Sequence, residues 1–423
     1  MDYQKLLEYL KNFCECVESY LTKYDYAIRT ISNGYNPTEL GSLSNLIYDA
    51  HLTVLAFVEQ YKGNHKVKHF SCAEHFRVMA FAQLTHRKSL RDVEVAFNAI
   101  GKKAYHMGIK SRVAKSTLAD ANGQRDWRIY ADFAQVLIDQ AKKLYAEEPL
   151  DVEWQGNIYA IDATTIDLCL AMFPWAKFRR TKAAVKLHTK INLRGNIPDF
   201  IHISDGKLND VNALDLIIPE ANAFYLIDRA YTDFQRLYLF HQAEANFVSL
   251  LKKSILYKRR YSHKADKDSG IRSDQTIILT GKDTSRYYPK PLRRIRFYSE
   301  ERKRYLVFIT NNFDLPAETV AKLYKMRWQF ELFFKWIKQN LRIKTFFGYN
   351  ENAVKVQVWI AVCTYLIVAI LKKEQRLLQP MSEILQVLSI LQFEKRPISE
   401  LFTAFSCNSE HSDTHNQLPL FDL

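Results

Sequence analysis

The sequence is poor in the features that mark secreted and membrane proteins. Its six cysteines, Cys14, Cys16, Cys72, Cys169, Cys363 and Cys407, are scattered. Only Cys14 and Cys16 are close, and no His stands at zinc-ligand spacing from them. This argues against a disulfide framework and a structural zinc, and reduced thiols in a cytoplasmic protein are expected. The N-terminus carries Asp2, Glu8, Glu15 and Glu18 and no long apolar run, which argues against a signal peptide. The most apolar stretch, Trp359–Leu371, is about 13 residues, short of the roughly 18–20 a membrane span needs, and is expected to be a buried helix. Acidic side chains are in deficit as well: 46 Asp and Glu against 60 Lys and Arg leave a net charge of +14. That balance favours a polyanionic partner, nucleic acid before membrane. A chain of 423 residues, 48% apolar and 25% charged, is long enough for two or three globular domains.

What the chain does contain is a strong helical signal at Pro316–Leu341, PAETVAKLYKMRWQFELFFKWIKQNL. Pro316 suits a first helical position, and no Gly or further Pro interrupts the run. With 3.6 residues per turn and Tyr324 set at 0°, Arg327 falls at about −60°, Glu331 at about −20°, Lys335 at about +20° and Lys338 at about −40°. These polar groups share one stripe, while Met326, Phe330, Phe333, Ile337 and Leu341 form a core face. Taken alone, the stripe is also what a solvated face tied by Arg327–Glu331 and Glu331–Lys335 pairs would give. Its borders, Trp328, Phe334 and Trp336, look instead like the wall of a cleft.

In chain order, residues 2–22 carry Leu6, Leu10, Phe13, Val17 and Leu21 at helical steps, either a small packing helix or a dimer contact. Ser32–Ser44, with Gly34, Pro37 and Gly41, reads as a linker. From Leu46 to Glu147 the pattern is helical: Ser71 caps a helix through Leu84, Ser89 with Asp92 starts one to about Ala99, Ser116 starts a third, and a fourth runs from Asp126 to about Ala146. Short helices joined by turns suit a DNA reader, and any small helical domain equally. From Asn157 the period becomes that of strands. NIYAIDATTIDL, AAVKLHTKINL and PDFIHISDG are three strands, Gly195–Asn196 turns the second into the third, a short helix lies near Leu214–Ile218, and NAFYLIDRAY is a fourth strand. That order is expected for an α/β, ribonuclease H-like core. Asp162 lies within the first strand and Asp228 closes the fourth, where a carboxylate is costly unless paired or metal-bound.

Between Asp228 and Glu331 lies Leu251–Arg304, with 17 Lys and Arg against 6 Asp and Glu, an excess of 11 that is most of the chain's net charge. Its strand-like runs QTIILTG and LRRIRFY are interleaved with Tyr257, Tyr261, Tyr287, Tyr288, Phe297 and Tyr298. A β-rich insertion presenting a DNA-backbone surface, including Arg293, Arg294 and Arg296, is expected.

Tyr-x2-Arg-x3-Glu-x6-Lys in the helix resembles the YREK signature of DDE transposases of the insertion sequence 4 family. IDATTIDLCLAMFPWAKFRRTKAAVKLHT and AFYLIDRAY resemble the family's catalytic core, and Phe70–Ala134 is similar to its N-terminal domain. The resemblance covers roughly residues 50–350. Ala230 stands where Gly is common, and Leu250 where a basic residue is common. The resemblance implies a catalytic and metal-holding triad of Asp162, Asp228 and Glu331. It implies terminal-phosphate contacts by Tyr324, Arg327 and Lys338, with Lys335 on the same stripe as a further DNA contact, and recognition of terminal inverted repeats through Arg87, Lys88, Arg91, Lys115, Ser116 and Arg125. In relatives a Trp of the insertion receives a flipped base; none occurs here, so Tyr287, Tyr288 or Tyr298 would substitute.

The implied organisation is a helical extension and linker (1–43), a helical DNA-binding domain (44–148), a ribonuclease H-like catalytic domain (149–373) with a basic insertion at about 251–304, and a tail (374–423). The implied chemistry uses two Mg²⁺ ions, with Mn²⁺ as a substitute, about 3.5–4 Å apart, to activate water and stabilise the leaving oxygen. Double-stranded DNA, as terminal repeat and as target, is the expected partner, with a homodimer in the synaptic complex and a bacterial, nucleoid-associated location. A non-catalytic DNA-binding descendant and a structure-specific nuclease of the same fold are the alternatives. The final Gln417-Leu418-Pro419-Leu420-Phe421 resembles a docking peptide for the bacterial sliding clamp, with Gln417, Leu418, Leu420 and Phe421 as contacts; folding back onto the catalytic domain is the competing expectation.

Overall fold

The computed structural model describes residues 54–402 except 56, 103, 105–108, 110–111, 267, 329–330, 332, 335–336, 338–345 and 392–401. The helix expected over 2–22, the linker, Lys335, Lys338 and the tail motif at Gln417, Leu418, Leu420 and Phe421 lie outside the described residues.

Helices α1 (Cys72–Leu84), α2 (Leu90–Ile100), α3 (Lys115–Gln124) and α4 (Arg128–Leu144) follow one another. Helix α1 begins with a capping box. Ser71 Oγ accepts the Glu74 N–H at 3.2 Å, and Glu74 Oε2 accepts the Ser71 N–H at 2.8 Å. Ser89 caps α2 by accepting the Asp92 N–H, and Gly101 ends it at φ +58°. Helix α3 starts one residue before Ser116 and has no side-chain cap.

The sheet begins with β1 (Ile158–Leu168), β2 (Lys177–Arg179), β3 (Lys182–Asn192) and β4 (Ile197–Asp205). Gly195 and Asn196 both take positive φ in the turn between β3 and β4, and a Cβ on Gly195 would run into the Tyr145 ring. Then come α5 (Asp210–Ala213), β5 (Phe224–Ile227), α6 (Phe234–Gln242) and β6 (Asn246–Leu250). Strand β1 is antiparallel to β3 and parallel to β5, and β5 is parallel to β6, so the order β4-β3-β1-β5-β6 is that of a ribonuclease H-like core. Strand β5 and the start of β1 are buried on both faces, as inner parallel strands require, which is why they read as unbroken apolar runs.

The insertion adds β7 (Tyr257–His263), β8 (Ile271–Leu279), α7 (Lys282–Tyr287) and β9 (Leu292–Ser299), and β10 (Arg304–Thr310) returns the chain to the core sheet. Strands β2 and β7 and helices α6 and α7 were not expected from the sequence, and neither was a helix at Met381–Leu391, inside the expected tail. β10 pairs antiparallel with β6, and β9, β8 and β7 follow in turn, so the insertion extends the core sheet to ten strands.

Helices α8 (Ala317–Met326), α9 (Glu351–Glu374) and α10 (Met381–Leu391) complete the described chain. Helix α9 is buried from Ala353 to Leu371 apart from Lys355, and packs against α1, α3 and α4, sharing one core with the sheet through Phe76, Phe133, Phe224 and Val354. The expectation of a helix too short to span a membrane needs correcting. At 24 residues α9 is long and apolar enough, but 94% of its apolar window is buried inside the protein.

The unbroken helix expected at Pro316–Leu341 also needs correcting. Pro316 is the N-cap, α8 ends at Met326, and helical residues resume at Trp328. At Arg327 the N–H bonds the Tyr324 carbonyl at 3.2 Å, a tighter turn than the α-helix, where the side chain is anchored across to the sheet. Met326, Phe333 and Ile337 are buried as expected of the core face; Phe334 is buried too, whereas Trp328 is exposed.

Candidate active site

The parallel register of β1 and β5 ends on Ile161 opposite Ile227. The next residue on each strand is an aspartate, so Asp162 and Asp228 emerge side by side where β5 ends. Carboxyl ends of parallel strands are where α/β sheets bind ligands. Asp162 Oδ1 accepts its neighbour Ala163's N–H at 2.8 Å. Asp228 caps a short 3₁₀ turn and accepts the Ala230 N–H at 3.0 Å.

The turn after α8 brings the third group. Arg327 Nη1 is 2.6 Å from Asp162 Oδ2, and its Nη2 is 3.6 Å from Asp228 Oδ1 and 3.5 Å from Glu331 Oε1. One guanidinium therefore bridges the three carboxylates singled out from the sequence. Its Nε and the Tyr324 hydroxyl are buried without a hydrogen-bond partner. Burial pushes the Asp162 carboxyl up to about 6; Arg327 and the Ala163 N–H oppose this, and the charges of Asp228 and Asp210 add to it. Arg327 is raised: burial works against its charge, but Tyr324 and the three carboxylates outweigh burial.

Three carboxylates are a hard oxygen donor set suited to a divalent cation of the Mg²⁺ kind. Among the described residues, no three His, Cys, Asp or Glu side chains are yet gathered closely enough to hold one. The residues fit the ion in chemistry, with Arg327 standing among them.

A second polar group lies beside this site and was not singled out from the sequence. Lys186 Nζ donates to Asp210 Oδ1 at 3.0 Å, and His188 Nδ1 is 3.4 Å from the Tyr231 hydroxyl and 3.8 Å from Asp210 Oδ1. Burial pushes His188 down to about 4, with Asp210 opposing. The signal was present: Lys186, His188 and Lys190 recur with period two in a mostly buried strand.

Several expected DNA contacts divide by burial. Arg125 is a correction: its buried guanidinium donates to Cys72 Sγ at 2.8 Å, to Asn64 Oδ1 at 3.1 Å and to the Phe70 carbonyl, so it ties loops rather than facing a ligand. Arg293 is another: it is buried and fork-paired to Asp274, Nε to Oδ1 at 2.9 Å and Nη2 to Oδ2 at 2.7 Å. Tyr288 cannot receive a base, being fully buried with its hydroxyl 2.7 Å from His241 Nδ1. Arg294 is half-buried, bonded to Gln275 and lying over Tyr257. Arg296 is exposed over the Tyr305 ring at 4.1 Å. Tyr287 is exposed, and Tyr298 is half-buried against Tyr305. Arg87 pairs with Asp92 at 3.3 Å, while Lys88, Arg91, Lys115 and Ser116 are exposed. The most exposed basic strand is β7, with Lys258, Arg259 and Arg260, at one end of the sheet.

Comparison with known proteins agrees with this architecture. The family model for the transposase DDE domain matches residues 153–367, and one for a domain of unknown function (DUF4372) matches residues 51–110. The putative transposase y4zB of Sinorhizobium fredii is 29% identical over 298 residues, 70% of this chain and 82% of that protein. The probable transposase for insertion sequence element IS5377 of Geobacillus stearothermophilus is 24% identical over 327 residues, 77% of this chain and 82% of that protein. The putative transposase for insertion sequence element IS4SA of Synechocystis is 24% identical over 269 residues, 60% of this chain and 71% of that protein. A solved piggyBac transposase synaptic complex with hairpin DNA gives a TM-score of 0.42 at 10% identity, covering 91% of this chain and 84% of that one, too distant to bear on the site. With a ribonuclease H-like core and a family match spanning half its length, the chain belongs to the transposase DDE domain family.

Proposed function

We propose that this transposase binds the terminal inverted repeats of its insertion sequence, hydrolyses a strand at each end and joins the freed 3′-hydroxyls to target DNA. The observation that carries this reading is the meeting of Asp162, Asp228 and Glu331, from two strands and a distant helix, around one arginine. Asp162, Asp228 and Glu331 would hold the divalent ions, two Mg²⁺ or Mn²⁺, which when bound supply an activated water and charge stabilisation at the leaving oxygen. Arg327 and Tyr324, with Lys338, hold the phosphates of the transposon end, where fixed donors orient the scissile bond, and Lys335 adds a further DNA contact. The exposed cations of β7 and Arg296 bind the backbone, and Lys88, Arg91, Lys115 and Ser116 meet the terminal repeat. A homodimer pairs the two ends, and the tail motif docks on the sliding clamp.

The test is cleavage of terminal-repeat duplex in Mg²⁺. Asp162→Asn, Asp228→Asn and Glu331→Gln should each reduce cleavage roughly a thousandfold or more while leaving DNA binding largely intact. Nicking near the wild-type rate by any of the three removes that residue from the site. For the tail, clamp titrated against the full chain and against a chain truncated before Gln417 should bind only the former.

A further inference from the structure

We propose that Arg327 is the resident counter-cation of the DNA-free site, and that DNA phosphate must draw it off the three carboxylates before a divalent cation can bind them. This rests on the reading of Asp162, Asp228 and Glu331 as metal-holding residues. The guanidinium reaches all three carboxylates, at 2.6, 3.6 and 3.5 Å. A divalent cation needs lone pairs of the same carboxylates, and two cations competing for one anionic cluster repel each other strongly in a half-buried setting.

Arg327 is also poorly sealed where it sits. Its Nε and the Tyr324 hydroxyl are buried donors without acceptors, a costly state for both. They belong to adjoining side chains, with the guanidinium carbon 5.8 Å from the Tyr324 ring centroid. A phosphate offers several anionic acceptor oxygens, and so satisfies donors that the carboxylates leave unmet. Two arrangements follow. Without DNA, Arg327 lies on the carboxylates and neutralises part of their repulsion. With DNA, Arg327 lies on phosphate and the carboxylates are free to close on metal. The consequence is a nuclease that holds its metal weakly until a DNA end is seated. By linkage, metal and DNA then tighten one another by the same factor.

The experiment counts free Mn²⁺ by electron paramagnetic resonance during titration of the full chain, alone and with terminal-repeat duplex, after subtracting Mn²⁺ held by the duplex itself. Wild type should bind Mn²⁺ weakly alone and about tenfold or more tightly with DNA. Arg327→Gln should bind Mn²⁺ without DNA about as tightly as wild type does with it, and Arg327→Lys, which keeps the charge, should remain weak. Equal Mn²⁺ affinity of wild type with and without DNA, or an Arg327→Gln affinity unchanged from wild type, overturns the proposal. Should Arg327→Gln fail to fold, the coupling in wild type decides alone. Asp162→Asn separates the two readings. If it binds Mn²⁺ as wild type does, the metal assignment itself falls. If it loses Mn²⁺ while wild type lacks DNA coupling, that assignment stands and the Arg327 gate falls.

Discussion

Arg327 at the ends of the core strands and Arg293 in the insertion are equally hidden, 9% and 6% exposed. Arg293 is closed: one carboxylate takes two parallel bonds from its fork, and its Nη1 donates to the Leu315 carbonyl. Arg327 is open: it divides two nitrogens among three carboxylates and leaves the third nitrogen unpaired. The contrast teaches that burial of a charge does not by itself mark structure or function. A sealed pair serves the fold, whereas an over-subscribed and partly unmet group is one that a ligand can complete.

The largest effect expected from this contrast is at the sealed pair. Arg293→Ala leaves Asp274 buried and uncompensated, and should cost about 3–5 kcal/mol in urea unfolding. Arg293→Met combined with Asp274→Leu should recover most of that loss. A cost below about 1 kcal/mol would erase the distinction between the two arginines.

The helical layer offers a second sealed group. His75 is buried between the Tyr130 hydroxyl and Asn122 Oδ1, each at 2.8 Å, and burial pushes it down to about 3. In the unfolded chain it titrates at an ordinary 6.5. Between those values the unfolded state binds the additional proton. The stability linked to neutral His75 is therefore complete above pH 6.5 and is lost as pH falls towards 3, at up to about 1.4 kcal/mol per pH unit. Thermal melts of wild type and His75→Gln across that window should differ by this slope; parallel curves would mean the pocket admits the charged ring.

Smaller again is the capping box. Ser71→Ala should lower stability by about 1 kcal/mol, measured by denaturant midpoint, because the Glu74 N–H loses its acceptor. The smallest change in stability is expected at Arg296. Being exposed, Arg296→Ala should shift unfolding by no more than about 0.5 kcal/mol. It should instead flatten the log–log salt dependence of DNA binding by about 0.9, the slope that one neutralised phosphate contributes. An unchanged slope would place the DNA track elsewhere, with β7 the next surface to neutralise.

Local pattern alone was enough for the succession of strands in the core, the caps at Ser71 and Ser89 and the buried α9, and for two aspartates that close apolar runs. Each depends on rules that act over a few residues: period two or 3.6, a cap three positions away, an apolar run ending on a charge. The triad as a set was implied only by the family resemblance. Tertiary structure decided which cations face outward and where the long helix breaks. Arg293 and Arg296 stand three apart in one basic run, yet one is sealed by Asp274, 19 residues earlier in a neighbouring strand, and the other lies in the open. Arg327 meets Asp162 across 165 residues of chain, and its turn interrupts a helix that is continuous by every local criterion. Partners at such separations are brought together only by sheet register and packing, so the sequence carries the charges while the folded sheet determines which of them remain available to DNA.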